Sequence, residues 1–180
     1  MLDIAENGIN AGANRIILSI TEEKCGDELI LSVEDNGRGM KEEEIIKCQD
    51  PFYTSRKTRR VGLGIPLFKQ HAEMTGGSLN IRSGEGEGTS ISATFFRTHP
   101  DIQPLGDIEG SWYLLSGMNP SVDIVLRYIT ERGVFELSSH DVMQSLEIDS
   151  LRDNELGLQL KRLIRNNITD ISFLDEIIDS

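Results

Sequence analysis

In residues 28–34 apolar side chains fall at every second position, Leu29, Leu31 and Val33, which is the period of a half-buried strand. Residues 15–21 read as its partner, and the polar turn around Gly26-Asp27 predicts that the two form a hairpin. A second hairpin is predicted from 78–83 and 89–96, turning through Gly84-Glu85-Gly86-Glu87-Gly88. Helical spacing precedes and separates these strands. Over residues 2–13, Leu2, Ala5, Ile9 and Ala13 make one apolar stripe, Asp3, Asn7 and Asn10 share a different face, and Gly12 suits the helix end. A short helix follows over 41–48. A longer one, opened by Gly62 and Gly64 with Pro66 in its first turn, runs to about residue 75 and stops at Gly76-Gly77. Helix, two strands, two helices and two strands predict an α+β layer with helices on one sheet face.

Beyond residue 97 the pattern changes. Pro100 and Pro104 mark 98–110 as a linker, and residues 111–116, 122–130 and 134–137 read as strands. Helices are expected over 139–147 and 153–166, the latter with Leu156, Leu160, Leu163 and Ile164 as a packing stripe. The domain reading is therefore 1–97, a linker over 98–110, and a small α/β unit over 111–180 for a protein partner or self-association, a homodimer being one form of it. His140-Asp141 resembles a phosphoacceptor box only faintly. A helix cap from Ser138 or Ser139, with Asp141 in the first turn, accounts for the same residues.

Composition narrows the classes. With 180 residues and 38 % hydrophobic content the chain can bury one sizeable core, or one core with a small satellite. A net charge of -12 argues against nucleic acid and anionic membrane surfaces as partners. No apolar run reaches the ~18 residues of a membrane span, and the first residues do not read as a secretory leader. Cys25 and Cys48 show no metal-ligand spacing, so reduced thiols and a cytoplasmic location are expected. A helix beginning at residue 2, with no entry strand and no N-cap, predicts that a short N-terminal piece is lacking.

The candidate chemistry centres on Asp35-Asn36-Gly37-Arg38-Gly39-Met40. A carboxylate at a strand end can accept from an exocyclic amine, and the glycines let backbone approach a ligand. Against the acidic background, Arg56, Lys57, Arg59, Arg60 and Lys69 concentrate positive charge around Val61-Gly62-Leu63-Gly64. A basic loop feeding a glycine-rich helix start suits a polyphosphate.

Four stretches in this order resemble the GHKL ATP-binding superfamily of gyrase B subunits, ninety-kilodalton heat-shock chaperones, histidine kinases and MutL-type ATPases. They are the N box from Asp3 through Asn7 and Asn10 to Ala13, the glycine boxes at 35–40 and 62–64, and the turn Gly86-Glu87-Gly88-Thr89. Histidine kinases and their stand-alone relatives are the nearest in pattern. The fold this implies is a two-layer α/β sandwich of the GHKL type, with the small α/β unit as a C-terminal appendage. The resemblance implies ATP and Mg²⁺ as cofactors, with Asn7 coordinating the metal. It implies that Asp35 accepts from the adenine amine with Thr89 in support, while Gly37, Gly39 and Met40 border the purine. Gly62, Leu63 and Gly64 would contact phosphates, and residues 53–60, with Tyr53 and Thr54, would form a mobile lid. Arg56 and Lys57 are the charge partners it suggests for the terminal phosphate. Asn10 stands where relatives carry Lys or Asp. Asp3 stands where hydrolysing members carry Glu as general base, and it is one methylene shorter, a shift of ~1.5 Å that slows proton transfer. An ATPase or nucleotide-gated switch is expected first, a kinase acting on a partner protein second, and an anti-sigma-type regulatory binding module third.

Overall fold

Strand spacing puts Ile16, Leu18 and Ile20 on one face of β1 (Arg15–Glu23), and in the computed structural model all three are buried. The structure describes residues 1–23, 27–50 and 63–173. β2 (Glu28–Asp35) lies antiparallel to β1, setting Leu18 opposite Val33 and Ile20 opposite Leu31. β3 (Ser78–Gly84) and β4 (Gly88–Phe96) form the second expected hairpin, and β4 also pairs antiparallel with β2. Ile91, Ala93 and Phe95 of β4 extend the buried face begun by Val33 and Leu29. A one-residue slip in any of these pairings would turn its apolar set outward, so the pattern itself fixes the register.

Helices cover that face. α1 (Leu2–Asn10) buries Ile4, Ala5 and Gly8. The expected stripe is thus rotated: Ala5 lies within it, Leu2 and Ile9 sit half-buried at its edges, and Gly8 packs inward. α1 ends as Gly12 adopts φ +84 and the Ala13 amide donates to the Gly8 carbonyl at 3.1 Å. α2 (Glu42–Lys47) buries no residue. α3 (Gly64–Met74) buries Ile65, Phe68 and Ala72, and the Phe68 and Phe95 rings meet tilted by 51° with centroids 5.8 Å apart.

The strand expected over 111–116 is corrected. It lies inside α4 (Ile108–Met118), which opens within the stretch read as linker. An apolar run of this length fits either a buried strand or a helix. The start of the element decides between them. Asp107 accepts from the Gly110 amide at 2.7 Å, an N-cap, and Ile108, Trp112 and Leu115 at spacings of four and three then face the core. The Trp112 indole donates to the Ile124 carbonyl at 2.9 Å, pinning α4 to the sheet.

β5 (Asp123–Thr130) runs parallel to β1, and β6 (Gly133–Ser138) pairs antiparallel with β5. Among the described residues the sheet therefore has six strands in the order β3-β4-β2-β1-β5-β6. α5 (Ser139–Ser145) follows, and then α6 (Asn154–Ile171), which packs on α4. α6 buries Leu160 and Ile164 as expected, whereas Leu163 is exposed and Gly157 and Ile168 take the remaining inward positions. One core cluster runs from Ile4 through Ile91 and Trp112 to Ile168. No described helix is long and apolar enough to cross a membrane.

Candidate nucleotide-binding site

Asp35 ends β2 beneath α1. A Cβ built on Gly8 would lie 2.7 Å from the Asp35 Cβ and 2.8 Å from the Ile16 side chain, so only glycine lets the helix cross the strand end this closely. The Gly37 amide donates to Asp35 Oδ1 at 2.8 Å. Burial pushes the Asp35 carboxyl above its usual range, while the amides of Gly37 and Thr89 pull it back down. Asn36 faces the other way. Its side-chain oxygen accepts from the Asn14 and Arg15 amides, each at 3.0 Å, and its nitrogen donates to Asn14 Oδ1 at 2.7 Å, tying the turn to the start of β1.

The spaced glycines have a second reason to be glycine. Gly39 has φ +67, and a Cβ there would fall 1.8 Å from the Gly84 carbonyl oxygen. Gly88 has φ +81, and its Cβ would fall 2.0 Å from the Asp35 carbonyl oxygen. The space freed at 39 is thus filled by the chain's own backbone, where the turn after β2 crosses the β3–β4 hairpin. Gly37 is different: its missing Cβ faces Asp35 Oδ1 at 2.9 Å and Ala11 at 3.1 Å.

Along α1, Asp3 and Asn7 stand one turn apart and are exposed. A Cβ on Gly64 would lie 2.8 Å from the Asp3 Cβ, so the first residue of α3 abuts the helix at this end. Five residues separate Asp3 from Gly8, a rise of about 7.5 Å. α1 therefore runs from a carboxylate end, where Gly8 packs on Asp35, to a helix-start end, where Asp3 abuts Gly64. Beside the Gly64 end lies a cavity of about 440 Å³, whose wall includes Asp3 and Gly64 with Leu18, Phe68, Phe95 and Leu126. Asp35 lies off that wall.

The other expected residues fall as follows. Asn10 donates Nδ2 to the Glu6 carbonyl at 2.6 Å, one turn back on its own helix. The Met40 amide donates to Ser83 Oγ at 2.8 Å. Leu63 precedes α3, is exposed, and accepts from the Leu67 amide at 2.9 Å. Thr89 stands opposite Asp35 in the β2–β4 register. Tyr53, Thr54, Arg56, Lys57 and Gly62 lie outside the described residues, as does the lid expected over 53–60. Ser83 was not singled out by the sequence, although the Gly84–Gly88 turn sets it opposite Thr89 and so could have pointed to it. At His140, Ser138 Oγ accepts from the Asp141 amide at 3.2 Å, and Ser139 Oγ accepts from the Ile124 amide at 2.9 Å. His140-Asp141 is the capped start of α5, as its residue types suggest.

A helix laid over a strand-end aspartate, with glycine turns on one side and a glycine-opened helix on the other, within an α/β sandwich, is the plan of a GHKL ATPase domain. Residues 1–99 match the family described as histidine kinase-, DNA gyrase B-, and HSP90-like ATPase, and the chain belongs to that family. Sporulation kinase C of Bacillus subtilis (strain 168) is 33 % identical over 88 residues, covering 49 % of this chain and 20 % of that protein. The non-motile and phage-resistance protein of Caulobacter vibrioides is 31 % identical over 110 residues, covering 56 % of this chain and 13 % of that one. The chain thus spans a fifth or less of the length of these curated relatives. Among solved structures, the Aquifex aeolicus MutL ATPase domain complexed with ADP overlaps 82 % of this chain and 67 % of its own, at 13 % identity and a TM-score of 0.48.

Proposed function

We propose that the chain is a cytoplasmic Mg²⁺-dependent ATP-binding protein acting as an ATPase or nucleotide-gated switch. The observation that supports this reading is that α1, with Asp3 and Asn7 exposed one turn apart, meets Asp35 at Gly8 and Gly64 at Asp3. In it, Asp35 accepts from the adenine amine and Thr89 supports the base. Gly64 and Leu63, with Gly62, Tyr53, Thr54, Arg56 and Lys57, receive the phosphates. Asn7 supplies one oxygen to Mg²⁺. An all-oxygen site suits this ion, which keeps most of its ligands as phosphate and water oxygens.

Asp3 would take the proton from the attacking water as the new P–O bond forms and ADP leaves. Its short side chain makes turnover slow. Asn7→Ala should remove Mg²⁺-dependent binding, whereas Asp3→Ala should leave binding intact and remove turnover. Unchanged turnover in Asp3→Ala would end the base assignment.

A second reading has its own support, because relatives matched here are named sporulation kinase C and sensor histidine kinase ZraS. In that reading residues 98–180 engage a partner protein, and phosphate passes to the partner. Purified protein with labelled ATP and Mg²⁺ separates the options. Free phosphate supports the ATPase, label on a protein supports the kinase, and tight binding with neither supports a regulatory module of the anti-sigma type.

A further inference from the structure

The sheet positions that alternate with the core face line up across all the strands. Ser78, Thr94, Ile30, Thr21, Ile129 and Val134 stand in one row, one each from β3, β4, β2, β1, β5 and β6. The next row holds Asn80, Ser92, Ser32 and Ser19, then Arg127 and Glu136, which close on each other at 2.6 Å. A third row runs from Arg82 through Glu34 to Ser138. The helices lie against the opposite face. α1, α3, α4, α5 and α6 send Ile4, Phe68, Trp112, Met143 and Ile164 into the one core cluster, and α2 buries nothing. Ile17, Ile30, Ile129 and Val134 take no part in that packing.

Charge and chemistry decide what suits this second face. The chain carries a net charge of -12, so two copies repel wherever acidic surface meets acidic surface. Here Arg82 and Arg127 balance Glu34 and Glu136, and the first row carries no charge at all. A neutral face gives no hold to a strongly charged partner, and it is where a second copy can approach. Its hydroxyls are self-complementary as well. Each Ser or Thr both donates and accepts, so a hydroxyl row can pair with its own copy across a two-fold axis. The first row holds no side chain longer than Ile, which suits two sheets stacked about 10 Å apart. Glu23 and Glu28, beyond that row, supply a charged rim. Six strands about 4.8 Å apart and three rows about 6.8 Å apart cover roughly 600 Å² per copy. The pair would bury about 1,200 Å², the lower end of specific interfaces.

We propose that the chain forms a two-fold dimer in which the Ser/Thr/Ile sheet face of one copy stacks on that of a second, with the helical side of each copy turned outward. The interface draws on both halves of the chain, and it leaves Asp3, Asn7 and Gly64 clear of the join.

The test is sedimentation equilibrium of the full chain over a concentration series. The native chain should pass from monomer to dimer in the micromolar range, as an interface of this size does without a large apolar centre. Ser32→Arg and Thr94→Arg each set a long cation among the middle rows, and each should weaken the dimer about tenfold or more. Their urea midpoints should stay near the native one, because both side chains point away from the core. Leu158→Arg, on the exposed side of α6, should leave the dimer as it is. A native chain still monomeric at about 1 mM, a dimer that survives both sheet substitutions, or one lost equally in Leu158→Arg overturns the inference. Should neither charged variant fold, a spin label on the small replacement Ser32→Cys must sense its copy across the stacked sheets, and absence of that coupling overturns the inference too.

Discussion

Asp35 is placed where stability and binding ask for opposite charge states. Burial raises its folded-state carboxyl above the unfolded value, so between the two values the folded chain binds more protons than the unfolded one. Stability from this group is therefore full below the unfolded pKa and is lost as pH rises through the folded one. An adenine amine needs the ionised acceptor, so affinity should run the other way and fall as pH drops through the raised value. Asp35→Asn removes the buried charge yet keeps an oxygen for the Gly37 amide. It should leave the urea midpoint at neutral pH unchanged or higher, while ATP binding weakens by about 1.5–3 kcal/mol, the size of a charge-assisted hydrogen bond, or roughly 10- to 150-fold. A lowered midpoint together with unchanged affinity would contradict both halves.

The β3–β4 hairpin offers an internal control for what its glycines do. Gly86 and Gly88 have nearly the same φ, +78 and +81, so alanine at either pays a positive-φ strain of about 1–2 kcal/mol. Only Gly88 has its missing Cβ against protein, 2.0 Å from the Asp35 carbonyl oxygen, whereas nothing lies within 4 Å at Gly86. Gly88→Ala should therefore lower the denaturation midpoint well beyond Gly86→Ala and weaken ATP binding, and equal losses would refute the crossing as its cause. This hairpin, and the β1–β2 hairpin with α1, were legible because alternation and turn glycines are local signals. The reason for glycine at 39 and 88 was not, since a backbone crossing between segments some fifty residues apart leaves no mark in either segment. Likewise the apolar run at 111–116 fits two periods, and the Asp107 cap with the sheet surface beneath Trp112 settled what spacing could not. The parallel pairing of β5 with β1 joins strands about a hundred residues apart and depends on the helices that cover both.

That pairing bears on how the whole chain unfolds. Two units joined by a linker should lose structure separately, whereas β1 and β5 share a ladder and a core. A buried polar knot strengthens the join. Glu22 at the end of β1 is wholly buried and accepts from the Tyr128 hydroxyl of β5, from Ser172 Oγ at 2.6 Å and from the Phe173 amide at 2.8 Å just after α6. Arg97, after β4, balances its charge at 3.5 Å. Burial and the neighbouring carboxylate push the Tyr128 hydroxyl far above its usual range, which keeps its proton for Glu22. Glu22→Ala would take the acceptor from the buried Tyr128 hydroxyl and the Phe173 amide, while Arg97 keeps Asp27 and the Glu23 carbonyl, a loss of about 1–3 kcal/mol per unpaired group, and Tyr128→Phe deletes the hydroxyl's bond to Glu22 for about 1–3 kcal/mol. Trp112, the single tryptophan and fully buried in α4, reports on the second half, and ATP binding reports on the first. In urea the two signals should disappear together in the native chain and move down together in Tyr128→Phe, because the sheet cannot lose β5 without exposing the apolar face of β1. A tryptophan transition that ran ahead of the loss of ATP binding would mean that the linker, not the shared sheet, sets the unit of folding.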